Sequence, residues 1–264
     1  GKFASSMPEL NYDNQTTRDL MIDVAKYWLG FGVDGFRIDA VKHVYMEDEV
    51  ATVSGDEITE DGAYSANLSK NVHFFKEFSA RIKQVYPDAY IVGENFDGWD
   101  QRIAPYLAGM DSLLDFPGYY HFVNNNMHGF ENNAYTEANN VVFDKISMFN
   151  NHRQDKAILA SFTSNHDVER MMNHVNNDYS GSGASVTETH RAITYANEAA
   201  SIDAAKAYGS TVMLQPGLSF MYYGDEIGMS GNLSPNTLDN APEDAVGEDW
   251  NEDRWYRQPM KWVE

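Results

Sequence analysis

Apolar residues recur at helical spacing over two long stretches of the chain and crowd together in several short ones. Leu20, Met21, Val24, Trp28 and Phe31 fall at steps of three and four. This spacing predicts a helix from a cap at Thr16 or Thr17 to about Gly30, stopped by Gly30 or Gly32. Leu68, Val72, Phe75, Ser79, Ile82 and Tyr86 repeat the pattern over 67–86, and Pro87 ends it. Between the two, the run from Val33 to His43 reads as a short buried strand opening into a polar loop. Alternation sends Gly35, Arg37 and Asp39 to one side and Phe36 and Ile38 to the other. Residues 89–94, 111–116, 157–163 and 218–223 read as four more short strands. Trp99, Ile103, Leu107 and Met110 suggest a short helix, 118–150 contains another, and the Ala-rich 191–214 is a third, ended by Pro216-Gly217. Residues 44–66, 173–190 and 224–264 read as loop. Strands alternating with helices imply parallel pairing in a wound α/β sheet or barrel.

Composition narrows the class. A chain of 264 residues with 42% hydrophobic and 13% aromatic residues can bury a full core. No apolar run approaches the roughly 20 residues that cross a bilayer. The net charge of −21 argues against binding a phosphate backbone, whereas a neutral polymer is not repelled by it. Zero cysteines exclude disulfides, thiolate metal sites and a cysteine nucleophile.

Three carboxylates stand at the ends of three separate strands: Asp39, Glu94 and Asp167. In a barrel the C-terminal strand ends converge on one face, so residues far apart in sequence can share a site. An arginine two residues from a carboxylate on one face of a strand is costly unless that face lines a polar site. A structural ion pair at the strand end is the plain alternative.

Gly35-Phe36-Arg37-Ile38-Asp39-Ala40-Val41-Lys42-His43 resembles the second conserved region of the α-amylase superfamily of retaining glycoside hydrolases (glycoside hydrolase family 13). Gly93-Glu94-Asn95 resembles its general-acid region, and Phe162-Thr163-Ser164-Asn165-His166-Asp167 the region of its third carboxylate. Met7-Pro8-Glu9-Leu10-Asn11 resembles the motif before the third barrel helix, with Glu9 where Asp is usual. Tyr222-Tyr223-Gly224-Asp225-Glu226-Ile227-Gly228 and Arg257-Gln258-Pro259-Met260-Lys261-Trp262 resemble the eighth strand and the loop after it. The motifs are most like those of bacterial α-amylases. The resemblance implies a (β/α)₈ TIM barrel represented by about strands four to eight, as part of a longer chain. The N-terminal strands, with the first conserved region, an inserted subdomain and a C-terminal β-sandwich would lie elsewhere.

The resemblance also implies roles. Asp39 is the nucleophile, Glu94 the acid/base and Asp167 the stabiliser of a distorted sugar. Arg37 beside Asp39 favours its ionised form, and the apolar run before Glu94 favours a retained proton. His166 donates to sugar hydroxyls. Lys42 and His43 contact the sugar on the leaving-group side, a pair typical of α-amylases and cyclodextrin-forming relatives, and the His43 carbonyl joins a Ca²⁺ site. A solvated cationic cap is the plain reading of Lys42 and His43. Trp99 is the preferred stacking platform among Trp99, Tyr119, Tyr120, Trp250 and Trp255. Arg170 contacts substrate or braces its loop. Glu47-Asp48-Glu49 reads as a solvated acidic face rather than an ion site. The expected reaction is endo-hydrolysis of α-1,4-glucosidic bonds in starch-like glucans or maltooligosaccharides, by a secreted or cell-surface monomer that binds no nucleic acid and has no membrane segment in this chain. Export is expected, because polymeric starch does not enter cells. The alternatives are a neopullulanase or maltogenic amylase, a cyclodextrin-forming glucanotransferase, and a non-catalytic glucan-binding relative.

Overall fold

Asn14 opens the first helix, α1 (Gln15–Gly30), with its side chain accepting from Thr16 N at 2.9 Å. The cap therefore precedes both expected threonines. The computed structural model describes residues 6, 8–45, 52–53, 56–57, 65–120, 158–168, 170–175, 199–215, 217–229, 257 and 259–260. After α1 come β1 (Gly35–Ile38), a two-stranded antiparallel hairpin of β2 (Thr52–Val53) and β3 (Asp56–Glu57), and α2 (Ser69–Lys83). These are followed by β4 (Tyr90–Gly93), α3 (Asp100–Ile103), β5 (Ser112–Leu114), α4 (Phe116–Tyr119) and β6 (Ile158–Phe162). The last described α-helices and strand are α5 (Met171–Val175), α6 (Ala199–Met213) and β7 (Leu218–Phe220), followed by a 3₁₀ turn at Asp225–Ile227. The chain divides into two compact units, Gly1–Pro117 with Glu137–Ala160, and Gly118–Thr136 with Ser161–Glu264.

In the first unit the strands pair in parallel, β1 with β4, β4 with β5, and β5 with β6. β7 follows β6 as its sheet neighbour, so the five strands keep their chain order. All five expected strands form, each trimmed by a residue or more. Gly35 is demanded by close approach, because a Cβ there would lie 1.9 Å from the Tyr90 carbonyl oxygen. Phe36 and Ile38 pack toward the core while Arg37 faces away, as the alternation implies. β1 is half-buried rather than buried, because it stands at the end of the strand order.

The core of the first unit joins Ile22 and Leu29 of α1, Phe75 and Ile82 of α2, Ile91 of β4 and Leu113 of β5. Ile22, Ile82, Ile91 and Leu113 have no exposed surface, and each such side chain contributes about 1.5–3 kcal/mol. Asp111 links α2 to the sheet, accepting from Lys83 Nζ at 2.6 Å and from Ile91 N at 2.9 Å.

α1 buries a different face from the expected one. Ile22, Ala25 and Leu29 are covered, whereas Leu20 is 60% exposed, Trp28 51% and Phe31 70%. The apolar stripe has the expected spacing, but no described residue covers its outer half.

In the second unit Met171, Met172, Ala205, Tyr208, Val212 and Met229 are buried. The end of α5, 173–175, falls where a loop is expected to begin, the helix starting on the buried Met171 and Met172. The rest of that loop, most of the helix expected within 118–150 and the start of the 191–214 helix lie outside the described residues. Among the described residues, no helix is long and apolar enough to cross a membrane.

Candidate active site

β1 and β4 bring two of the expected carboxylates together. Ile38 lies opposite Gly93 in the parallel register, and the next residue on each strand is Asp39 and Glu94. Glu94 N donates to the Ile38 carbonyl at 2.8 Å, which carries the pairing one residue past the strands. Arg37 then spans the pair, one guanidinium nitrogen donating to Asp39 Oδ1 and the other lying 3.1 Å from Glu94 Oε1.

The two carboxylates sit in opposite surroundings. The Asp39 side chain is 72% exposed and that of Glu94 5%. Glu94 Oε2 also accepts from Ala40 N at 2.9 Å. Burial favours the neutral acid at Glu94, while Arg37 and the Ala40 amide favour the carboxylate. That amide is aimed by an unusual backbone: Ala40 has φ +45° and ψ +44°, in the left-handed region. Such a conformation in a residue with a Cβ costs of order 1 kcal/mol or more and persists only where its surroundings fix it. The Ala40 carbonyl accepts from His43 N at 2.9 Å, so both its polar groups are tied down.

Beyond Ala40 the chain turns inward. Lys42 is 2% exposed and His43 5%, which corrects the solvated cap. The Lys42 ammonium lies 3.8 Å from the centre of the Phe96 ring, a favourable cation–π contact. His43 Nδ1 is 2.9 Å from Ser65 Oγ. The Lys42 carbonyl accepts from Asn67 N at 2.9 Å and from Asn71 Nδ2 at 2.6 Å. Asn67 in turn donates to Asp97 at 2.9 Å and accepts from Asn95 Nδ2 at 2.8 Å. This buried network ties the loop carrying Asp39 to the loop carrying Glu94. Lys42 and His43 thus serve as internal braces here and present no open surface to a sugar. Trp99, 62% exposed, does present one, and its backbone N donates to Asp97 Oδ1 at 3.1 Å.

The second unit holds the third carboxylate. The Asp167 side chain, 35% exposed, accepts from Arg257 at 2.6 Å and lies 3.1 Å from His166 Nε2. Asn165 Oδ1 accepts from Asp167 N at 2.8 Å and shapes the turn. Arg170 has no exposure, which corrects its assignment to substrate contact and leaves the bracing role. It donates to the Tyr223 carbonyl at 2.5 Å, with the Tyr222 and Tyr223 rings each 4.6 Å from its guanidinium. Asp225 is buried, and its Oδ2 accepts from Thr163 Oγ1 at 2.5 Å and Ser164 Oγ at 2.6 Å. Burial pushes its carboxyl above the ordinary range, against the pull of the two hydroxyls and Arg170. A cavity of about 600 Å³ lies among α5, α6 and residues 221–228, but Asp167 is not part of its wall.

Arg37, Asp39 and Glu94 are therefore together in the first unit, and His166 and Asp167 in the second. Tyr119 is buried against Phe162 rather than offered to a ligand. Trp250, Trp255 and Glu47-Asp48-Glu49 lie outside the described residues. The spacing in sequence gave no sign of the Arg37–Glu94 contact, the left-handed Ala40 or the Arg257–Asp167 pair. The last joins residues in two separately matched motifs. Calcium takes six to eight oxygen ligands. His43 is the one expected ligand here, and no cluster of three or more acidic or metal-binding side chains is found among the described residues.

Comparison with known proteins gives a consistent picture. The family model for the α-amylase catalytic domain matches residues 1–264. Alpha-amylase 3 of Dictyoglomus thermophilum is 30% identical over 262 residues, covering 99% of this chain and 39% of that protein. The 4-alpha-glucanotransferase of Thermotoga maritima is 27% identical, covering 96% of this chain and 43% of its own length. The crystal structure of an α-amylase from H. orenii superimposes with a TM-score of 0.67 at 26% identity, over all of this chain and 41% of that one. The chain thus spans about two-fifths of the length of these relatives.

Proposed function

Given that the chain belongs to the α-amylase family and carries part of its (β/α)₈ catalytic barrel, we propose that the whole protein cleaves internal α-1,4-glucosidic bonds of starch-like glucans with retention of configuration. The observation that carries this reading is the pair of carboxylates that follow opposed strand residues and share one guanidinium. Retaining cleavage needs two carboxyl groups roughly 5–5.5 Å apart, one to attack the anomeric carbon and one to protonate the leaving oxygen. The open, arginine-paired Asp39 suits attack. The buried Glu94 suits proton transfer to and from the leaving oxygen.

In this reading Asp167 is the third carboxylate, which stabilises a distorted sugar, His166 donates to sugar hydroxyls, and Trp99 stacks on a sugar ring. The remaining barrel strands, the inserted subdomain and the C-terminal β-sandwich come from other parts of the protein. The exposed apolar side of α1 supports a further layer there. A calcium ion at the His43 carbonyl would draw its other ligands from those parts.

The test uses the full-length protein and an end-blocked maltooligosaccharide, with the first-formed anomer followed by NMR. Hydrolysis of the blocked substrate with the α-anomer appearing first is expected. A β-anomer appearing first overturns the retaining mechanism. Failure on the blocked substrate alongside hydrolysis of cyclodextrin or pullulan overturns the endo-acting α-1,4 assignment.

A further inference from the structure

We propose that Asp225 is a positioning residue that fixes the Asp167 loop through Thr163 and Ser164. The inference rests on the functional reading above, in which Asp167 faces the sugar. Thr163 and Ser164 are the first two residues after β6, and both hydroxyls donate to the same oxygen of Asp225, at 2.5 and 2.6 Å. Two adjacent donors on one acceptor fix the direction of the chain as well as its distance. Asp167 follows three residues later, in a turn closed by Asn165.

The far end of the same loop is held by the same segment. Arg170 donates to the Tyr223 carbonyl at 2.5 Å and lies 3.9 Å from Asp225 Oδ1. Both ends of 163–170 are thus anchored on Tyr223 and Asp225. Gly224 between them has φ +89°, and a Cβ there would come within 2.7 Å of Met229 and 3.1 Å of Arg170 Nη1. The turn and the close packing of this anchor therefore require glycine. A buried carboxylate is a poor device for stability alone, since well-packed apolar groups often serve as well. Its directional acceptors are what the loop uses. Misplacement of a reacting group by about 1 Å can cost on the order of 10²-fold in rate.

The experiment compares Asp225→Ala, Asp225→Asn and Asp167→Asn in the full-length protein, with kcat expressed per active site by titration with a covalent inactivator. Asp225→Ala is expected to lower kcat about 10²-fold and to leave KM within about threefold. Asp225→Asn, which keeps an acceptor oxygen, is expected to recover most of the loss. In the Asp167→Asn background, Asp225→Ala is expected to remove less than about twofold more, as for groups acting as a unit. A kcat per active site within about twofold of the parent overturns the proposal, as does equal loss in the Ala and Asn variants or full multiplication of losses in the double variant. If Asp225→Ala does not fold, Thr163→Val with Ser164→Ala removes the same two bonds and is held to the same expectations. Normal turnover by Asp167→Asn would instead overturn the functional reading itself, and the positioning role with it.

Discussion

Asp39→Asn in the full-length protein is expected to lower glucan hydrolysis by a factor of order 10⁴ or more, while the variant still folds and binds glucan. Asparagine has the shape of aspartate and keeps an oxygen for the Arg37 guanidinium, so the end of β1 loses no packing. The Asp39 side chain is 72% exposed, so the change creates neither a cavity nor a buried unpaired group. What disappears is the negative oxygen that forms the bond to the anomeric carbon and the charge that stabilises the oxocarbenium-like transition state. Calorimetric titration with a maltooligosaccharide, beside the kcat measurement and circular dichroism, separates these consequences. Retained turnover, or lost folding, would contradict the account.

Glu94→Gln is expected to lower turnover of unactivated glucans by about 10²–10⁴-fold, the usual worth of general acid–base assistance. The size of the loss should depend on the leaving group. A glycosyl fluoride departs without protonation, so its cleavage should fall far less than that of a maltooligosaccharide. The second step still lacks its base, and added azide, which needs none, should restore turnover as a glycosyl azide of retained configuration. Because Glu94 is 4% exposed and accepts from Ala40 N, the glutamine variant must keep its carbonyl oxygen toward that amide. A thermal melt of the variant checks that it does. Equal losses on activated and unactivated substrates would remove Glu94 from the role of proton donor.

β4 is legible as a short apolar run that ends on Glu94, and β1 as an alternating run that ends at Asp39. Alternation around Arg37 places the arginine on the acid's side. The buried face of α1 is not legible, because spacing defines a stripe but not which half of it finds a partner. Ile22, Ala25 and Leu29 are the residues that meet other elements. The burial of Lys42 had no local sign. It depends on Phe96, Asn67 and Asn71, all distant in sequence, which cover its ammonium and bind its carbonyl. Arg170 was ambiguous for the same reason: the tyrosines that enclose it are more than fifty residues away in the chain. Local pattern thus located the chemistry at the strand ends, while the supports beneath it arise from contacts between loops.

In the proposed mechanism Asp39 is the group that bonds to the sugar. A 5-fluoroglycosyl fluoride slows the breakdown of such a glycosyl-enzyme more than its formation, so the adduct accumulates on the full-length protein and can be digested and sequenced by mass spectrometry. The label is expected on Asp39. A label on Glu94, Asp167 or any other residue, or turnover without any covalent adduct, would contradict the account.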